Sequence, residues 1–527
     1  MSRLPITTLA EILRTHAAGR GGAPAMRCGD RSWTYTELRN ESARVAQALL
    51  ADGVAPQQRV AVLDKNAGEY FTFLFGACMA NAVTLAVNWR LSPREMEYIL
   101  NHAETQVLLV GQEFLGHIEK MKLEGVRRIV VLGESAGPHT RYQDWIAPHP
   151  PVDPEIASGP DDTCYQLYTS GTTGLPKGVE LTNRNLLSAM DVGQEVWSFD
   201  AESVNLVAMP LFHISGSGWG IAAFYAGGVN VLLREVNPAE ILRLVQQFRV
   251  SNALFVPAVL QILLGTPGVE TTDFSSLRKV VYGASPISEA VLVRSIQTFG
   301  CGFVQAYGLT ETTGGIVALR AEDHDPGGPR ARLLRSAGTP WGDVELRIVD
   351  PASGRDLAEG EVGEIWSRSA QNMKGYWRNP EATAQAYPEG RDASGLGWFR
   401  TGDAGYIREG FLFIHDRVKD MIVSGGENIY PAEIENVLMG HPDVADVAVI
   451  GVPSERWGET VKAVIVPKPG AAASDESLLA YCRERLAGFK CPTSIDRVAT
   501  LPRNPSGKLL KTLIREPYWE GRARRVN

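Results

Sequence analysis

Between Tyr168 and Val179 the chain reads YTSGTTGLPKGV, which has the parts of a loop built to hold a triphosphate. Ser170, Thr172 and Thr173 supply hydroxyl donors, Gly171 and Gly174 let backbone N–H groups approach anionic oxygens, and Lys177 adds a mobile positive charge. The preceding CYQLY reads as a buried strand, and the run leads toward a helix near Asn185, an arrangement suited to an anion. The spacing is not that of the P-loop of kinases and GTPases, which ends in Gly-Lys-Ser/Thr; here Gly178 follows the lysine. The plain alternative is a Ser/Thr/Gly-rich surface turn.

Four more segments follow: YGLTET from Tyr307, WFRTGD from Trp398, DRVKDMIVSGGENIYPAEIE from Asp416, and PRNPSGKLLK from Pro502. With the loop, and in this order, they resemble the adenylate-forming superfamily of acyl-CoA synthetases, adenylation domains and luciferases. The resemblance covers almost the whole chain, and so many segments in fixed order are not expected by chance. It implies an ATP- and Mg²⁺-dependent enzyme whose carboxylic-acid substrate attacks the α-phosphate, with pyrophosphate leaving and the acyl-adenylate then accepting a thiol. Bringing anions together in the first step calls for cations and fixed donors.

The resemblance distributes these roles. Thr169, Ser170, Gly171, Thr172, Thr173, Gly174 and Lys177 would hold phosphates. Glu311 would hold the magnesium ion, which usually takes only one or two protein carboxylates, and Thr310 would contact phosphate. Tyr307 and Gly308, with the GASP segment at Gly283, Ala284 and Ser285, would line the adenine pocket. Without the resemblance Tyr307 reads as a core aromatic. Asp403 and Arg417 would bind the ribose, although Asp403 alone also suits a turn. Lys508 falls where the family's adenylation lysine lies; by itself it reads as a solvated lysine. Lys419 matches the family's hinge, about which a C-terminal domain would rotate between half-reactions, and Gly425 and Gly426 would line the passage of the pantetheine thiol.

His213, in PLFHISG, matches a position bordering the acyl pocket and the carboxylate; its alternative is a hydrogen-bonded histidine beside a core strand. Amino-acid-adenylating members of the superfamily it resembles usually carry an aspartate in this segment to pair with the substrate ammonium; none is present here, so the resemblance implies an acid without an α-amino group. Gly216, Gly314 and Gly315 would border the acyl pocket and leave it volume for a medium, long or bulky apolar acid. The expected acceptor is coenzyme A. A separate carrier protein is the alternative, as is a chain performing only the thiol-transfer half-reaction.

The 527 residues exceed one compact core, so at least two domains are expected. With 44% apolar residues, 21% charged residues and a net charge of −8, the composition is globular and gives no general reason to bind nucleic acid. The six scattered cysteines indicate neither a zinc site nor a disulfide framework and fit a reducing cytoplasm. A short amphipathic helix carrying Leu9, Ile12 and Leu13 opens the chain in place of a signal peptide, and the apolar stretch from Phe71 to Val87 reads as a buried helix running into a strand, not a membrane span. A homodimer is left open.

The elements that must position this chemistry are legible as apolar runs: RVAVL at Arg59, QVLLV at Gln106, RIVVL at Arg128, VNLVAM at Val204, VNVLL at Val229, NALFV at Asn252 and KVVYG at Lys279. They alternate with amphipathic segments, which predicts an α/β fold of parallel-type sheets covered by helices. Ser92-Pro93 with Glu95, and Asn237-Pro238 with Glu240, mark helix starts. DPGGPRARL from Asp325 reads as a loop, followed by a small β-rich subdomain over about 336–418 and a mobile α+β unit. The resemblance sets the division at 1–418 and 419–527; composition alone does not locate it.

Overall fold

The computed structural model describes residues 6–169, 175–285, 287–417, 420–424, 427–503 and 509–520, without the side chains of residues 416, 417, 427 and 428. All seven apolar runs are strands: Arg59–Leu63, Val107–Gly111, Arg128–Leu132, Val204–Val207, Val229–Leu232, Asn252–Phe255 and Lys279–Gly283. Each pairs in parallel with its sheet neighbours. Strands covered by helices on both faces have no solvent side, so they read as continuous apolar runs without alternation.

Among the described residues these strands build two large sheets. One has Arg59–Leu63 near its middle and ends in Gly375–Tyr376 and Thr140–Arg141; the other carries Lys279–Gly283 beside Gly302–Leu309 and ends in Thr339–Pro340 and Arg31–Thr34. Helix Gly68–Met79, the membrane-like stretch, lies in the common core, with Phe71 and Phe75 meeting Phe224 of helix Ile214–Ala226 edge-on at 5.1 and 5.5 Å. It is buried almost completely, which explains its lack of a polar face, and strand Val83–Ala86 follows it. No helix among the described residues is long and apolar enough to cross a membrane.

The anticipated helix starts are present. Ser92 and Glu95 form a reciprocal capping box ahead of Pro93–His102, and Asn237 Oδ1 accepts from the Glu240 N–H at 3.1 Å ahead of Pro238–Phe248. The first helix, Leu9–Arg20, buries Leu9, Ile12 and Leu13. Part of the DPGGPRARL segment is more ordered than a loop, since Ala331–Arg335 is a 3₁₀ helix.

Strands Glu345–Val349, Gly363–Arg368, Phe399–Arg408 and Phe411–Arg417 form the small antiparallel sheet of the expected β-rich subdomain. Two strands of that stretch pair elsewhere: Thr339–Pro340 joins one large sheet and Gly375–Tyr376 the other. The subdomain is thereby stitched to both sheets by strands too short to carry an apolar pattern. Beyond it, strands Ile422–Ser424, Glu427–Ile429, Val444–Ser454, Gly458–Pro467 and Ser494–Arg497 make one sheet with helices Pro431–Met439 and Asp475–Arg483. Ile422, Ile434, Leu438, Val449, Ile465 and Leu478 belong to a hydrophobic cluster of their own. An independent core is what a separate domain requires.

Candidate active site

Ser170, Gly171, Thr172, Thr173, Gly174, Lys419, Gly425, Gly426 and Lys508 lie outside the described residues, as does the Arg417 side chain. The flanks of the phosphate-loop candidate are defined. Strand Thr163–Thr169 enters it and strand Lys177–Thr182 leaves it, paired antiparallel with Thr169 opposite Lys177. This corrects the expectation of a loop feeding a helix. The helix expected near Asn185 is present as Asn183–Trp197, but it begins only after the second strand, and the described flanks of the loop candidate are paired in a sheet ladder.

Glu311 sits in the turn Thr310–Thr312, between strands Gly302–Leu309 and Gly314–Leu319. The turn reverses through two left-handed residues, Thr313 at φ 57° and Gly314 at φ 93°. Thr312 Oγ1 accepts the Leu309 N–H at 2.8 Å, and the Thr313 hydroxyl donates to the Gln371 carbonyl at 2.5 Å. Glu311 is thus held on a braced reversal and not on a free loop. Its Oε1 accepts from the Thr169 hydroxyl at 3.3 Å and from the Tyr376 hydroxyl at 3.1 Å, and the Lys177 ammonium lies 5.0 Å from the Tyr376 ring centroid. Thr169, Lys177 and Glu311 are therefore brought together around Tyr376. Among the described residues Glu311 Oε2 carries no hydrogen bond, leaving one hard oxygen beside the phosphate-loop candidate, a donor suited to Mg²⁺ that also keeps waters and phosphates.

On the same strand, Tyr307 is buried and its hydroxyl donates to Asp403 Oδ2 at 2.8 Å. Asp403 is buried too, and its backbone stands opposite Arg417 in the adjoining strand pair. Tyr307, Asp403 and the Arg417 backbone thus form one contiguous group. Gly283 pairs with Ala306, next to Tyr307, and a Cβ on it would fall 2.2 Å from the Ala306 carbonyl oxygen; Ala284 follows at φ 65°. An alanine held in the left-handed region costs roughly 1 kcal/mol or more, the kind of local strain that collects at functional sites. Gly308 admits no side chain, because a Cβ there would fall 1.8 Å from the Gly314 carbonyl oxygen. Ser285 closes the described part of this rim.

His213 caps helix Ile214–Ala226. Its Nδ1 accepts the Ser215 N–H at 3.2 Å and lies 2.8 Å from the Ser215 hydroxyl. A backbone N–H can only donate, so Nδ1 holds its lone pair there and the neutral ring carries its proton on Nε2. Burial pulls the imidazole pKa down to about 4. His213 is consequently an uncharged N–H donor at neutral pH, not a base. The helix it opens faces the Glu311 turn, with Ile214 Cγ1 3.8 Å from the Cβ position of Gly314.

The volume expected from glycines is corrected at two positions. A Cβ on Gly216 would meet the Pro210 and Met209 carbonyl oxygens at 2.3 and 2.5 Å, so this glycine lets the helix start close on the preceding strand exit. At Gly315 the space is taken by the Trp341 indole, 2.5 Å from the Cβ position. Gly314 is the residue whose backbone angle needs glycine. The six cysteines are free.

Tyr376, Gln371 and Trp341 carry no sequence signal for these contacts: each is a lone residue in a polar or Gly/Pro-rich stretch. The pairing of Gly375–Tyr376 with Lys177–Thr182, together with the Met373 N–H donating to the Glu311 carbonyl at 2.7 Å, brings Tyr376 to Glu311.

The family description for AMP-binding enzymes matches residues 13–377, and that for the AMP-binding enzyme C-terminal domain matches residues 433–508. The fatty acid–acyl-carrier-protein ligase ScoC of Streptomyces coeruleorubidus is 41% identical over 99% of this chain and 98% of its own. A feruloyl-CoA synthase of Amycolatopsis is 38% identical over 94% and 96%. Among solved structures, ATP-bound MatB from Rhodopseudomonas palustris superposes with a TM-score of 0.88 at 29% identity, covering 97% of this chain and 99% of that one. With a match across well over half of its length and relatives along nearly all of it, the chain belongs to the AMP-binding enzyme family.

Proposed function

We propose that the protein is an AMP-forming acid–thiol ligase that activates an apolar carboxylic acid with ATP and passes the acyl group to coenzyme A. A carboxylate oxygen attacks the α-phosphorus, the bond to pyrophosphate breaks, and the thiol sulfur then attacks the acyl carbon and expels AMP. The observation that carries this reading is the convergence of Thr169, Lys177 and Glu311 at one end of the strand whose Tyr307 engages Asp403. Phosphate donors, a single carboxylate and a ribose-type acid are what a nucleotide triphosphate site needs, placed in line. Magnesium bound at Glu311 would neutralise phosphate charge.

His213 fits the opposite task. A neutral Nε2–H can donate to the substrate carboxylate or to the acyl carbonyl without removing charge from the attacking group. Thr310 and the loop from Ser170 to Gly174 complete the phosphate contacts, Gly283, Ala284, Ser285 and Gly308 form the adenine rim, and Arg417 assists Asp403 at the ribose. Lys508 bridges carboxylate and α-phosphate in the first half-reaction. Rotation about Lys419, which divides 1–418 from 419–527, withdraws Lys508 and brings Gly425 and Gly426 to the thiol path.

A carrier protein is the second reading for the acceptor, favoured by the 41% identity to a ligase named for an acyl carrier protein. The test is mass spectrometry of thioesters after incubation with ATP, Mg²⁺ and a panel of apolar acids, with coenzyme A or a holo-acyl carrier protein. Acyl-CoA is the expected product. Acylated carrier with coenzyme A left unmodified would move the acceptor to the protein.

A further inference from the structure

Tyr376 touches both charged groups of the candidate phosphate and metal site. Its hydroxyl donates to Glu311 Oε1 at 3.1 Å, and the Lys177 ammonium stands 5.0 Å from its ring centroid. A lysine and a carboxylate that share one neighbour attract each other, and a direct pair would occupy the oxygens that a metal ion needs. Among the described residues no ion pair joins these two. The Lys177 charge lies over the ring instead, while Thr169 and Tyr376 both donate to Oε1 and leave Oε2 open.

The backbone on either side of Tyr376 is fixed. The Met373 N–H donates to the Glu311 carbonyl at 2.7 Å, and the Lys374 and Trp377 N–H groups donate to the Glu180 and Gly178 carbonyls at 3.0 and 2.7 Å. The Trp377 indole donates to the His102 carbonyl at 3.0 Å, and its ring centroid lies 3.4 Å from the Arg59 guanidinium. Arg59 is itself buried and donates to Glu180 at 2.7 Å and Gln166 at 3.0 Å. Residues 373–377 therefore join the Glu311 turn to both strands of the phosphate-loop hairpin and hold Tyr376 in register with both charges.

We propose that Tyr376 is a positioning residue that keeps Lys177 and Glu311 apart and presents Glu311 Oε2 to magnesium. This rests on the reading that Glu311 holds the metal. Hydroxyl and ring serve different partners: the hydroxyl fixes the carboxylate for the metal, and the ring holds the lysine for phosphate.

The test is calorimetric binding of α,β-methylene ATP, which cannot release pyrophosphate, to the full chain in Mg²⁺ and in EDTA. The ratio of the two dissociation constants measures what the metal adds, and in the wild type Mg²⁺ should tighten binding. Tyr376→Phe, which keeps the ring, should lower that gain by about tenfold while binding in EDTA is unchanged. Tyr376→Leu should lower the gain equally and also weaken binding in EDTA by about threefold, because the lysine loses the ring face. In a Glu311→Gln background, Tyr376→Phe should alter the gain by less than about twofold, since its effect passes through the carboxylate. The phenylalanine variant keeps the packing, so it tests the hydroxyl even if the leucine variant does not fold. An undiminished gain in Tyr376→Phe, an equal loss with and without the Glu311 carboxylate, or a weakening that is the same in Mg²⁺ and EDTA overturns the proposal. Wild-type binding that Mg²⁺ does not tighten would instead overturn the metal reading of Glu311.

Discussion

The His213 imidazole should not take up a proton anywhere in the physiological range. Its Nδ1 is committed to the Ser215 N–H and burial depresses its pKa to about 4, against 6.5 for the free side chain. Since the folded pKa lies below the unfolded one, the unfolded chain gains the proton first as pH falls. The contribution to stability is therefore complete above pH 6.5 and is lost between 6.5 and 4, by about 2 kcal/mol at pH 5 and about 3 kcal/mol at pH 4. The perturbation is His213→Asn, which keeps a side-chain acceptor at the helix cap and removes the titration. Two measurements follow it. In protein labelled at histidine Cε1, the carbon resonance that the variant lacks should keep its neutral shift down to pH 5. The stability advantage of wild type over variant should be flat above pH 7 and shrink below 6.5. His16, His102 and His324 are also pulled down by burial, so only the difference between the two proteins isolates His213. A resonance titrating near pH 6.5, or a stability difference independent of pH, would refute both the tautomer and the neutral-donor role.

Glu311→Gln should lower turnover tenfold or more, about 1.4 kcal/mol or more of transition-state stabilisation, and raise the Mg²⁺ concentration needed for half-maximal rate, with little change in melting temperature. Tyr307→Phe removes a buried hydrogen bond to Asp403 and should cost about 1–3 kcal/mol, read as weaker ATP binding in calorimetry. Gly308→Ala forces a methyl into the Gly314 carbonyl and should lower stability by about 3 kcal/mol or more in thermal melts, with activity on every acid falling alike. Lys508→Ala should abolish adenylate formation while thioester formation from supplied acyl-adenylate persists, as separate assays of the two half-reactions would read.

The seven buried parallel strands were legible because burial on both faces leaves an unbroken apolar run, and the caps at Ser92 and Asn237 because capping is chemistry local to four residues. The strand after the phosphate-loop candidate was not. KGVELT alternates weakly, and its role comes from pairing with Gly375–Tyr376 far along the chain. For the same reason the sequence carries no sign of Tyr376 at Glu311 or of Gln371 at Trp341: a hydrogen bond between distant residues leaves no periodicity. Glycines are ambiguous in a sequence. A missing side chain signals either open space or a close neighbour, and at Gly216 and Gly315 the neighbours are carbonyl oxygens and an indole. Asp403 and Tyr307, each open to a plain reading alone, gain weight from their mutual hydrogen bond.

The central claim, activation of a carboxylate as its adenylate, is tested most directly by acid-dependent exchange of labelled pyrophosphate into ATP across a panel of apolar acids without any thiol present. The account predicts exchange that requires both acid and Mg²⁺ and is lost in Lys508→Ala. Exchange that is absent for every acid, or that proceeds equally without acid, would contradict it.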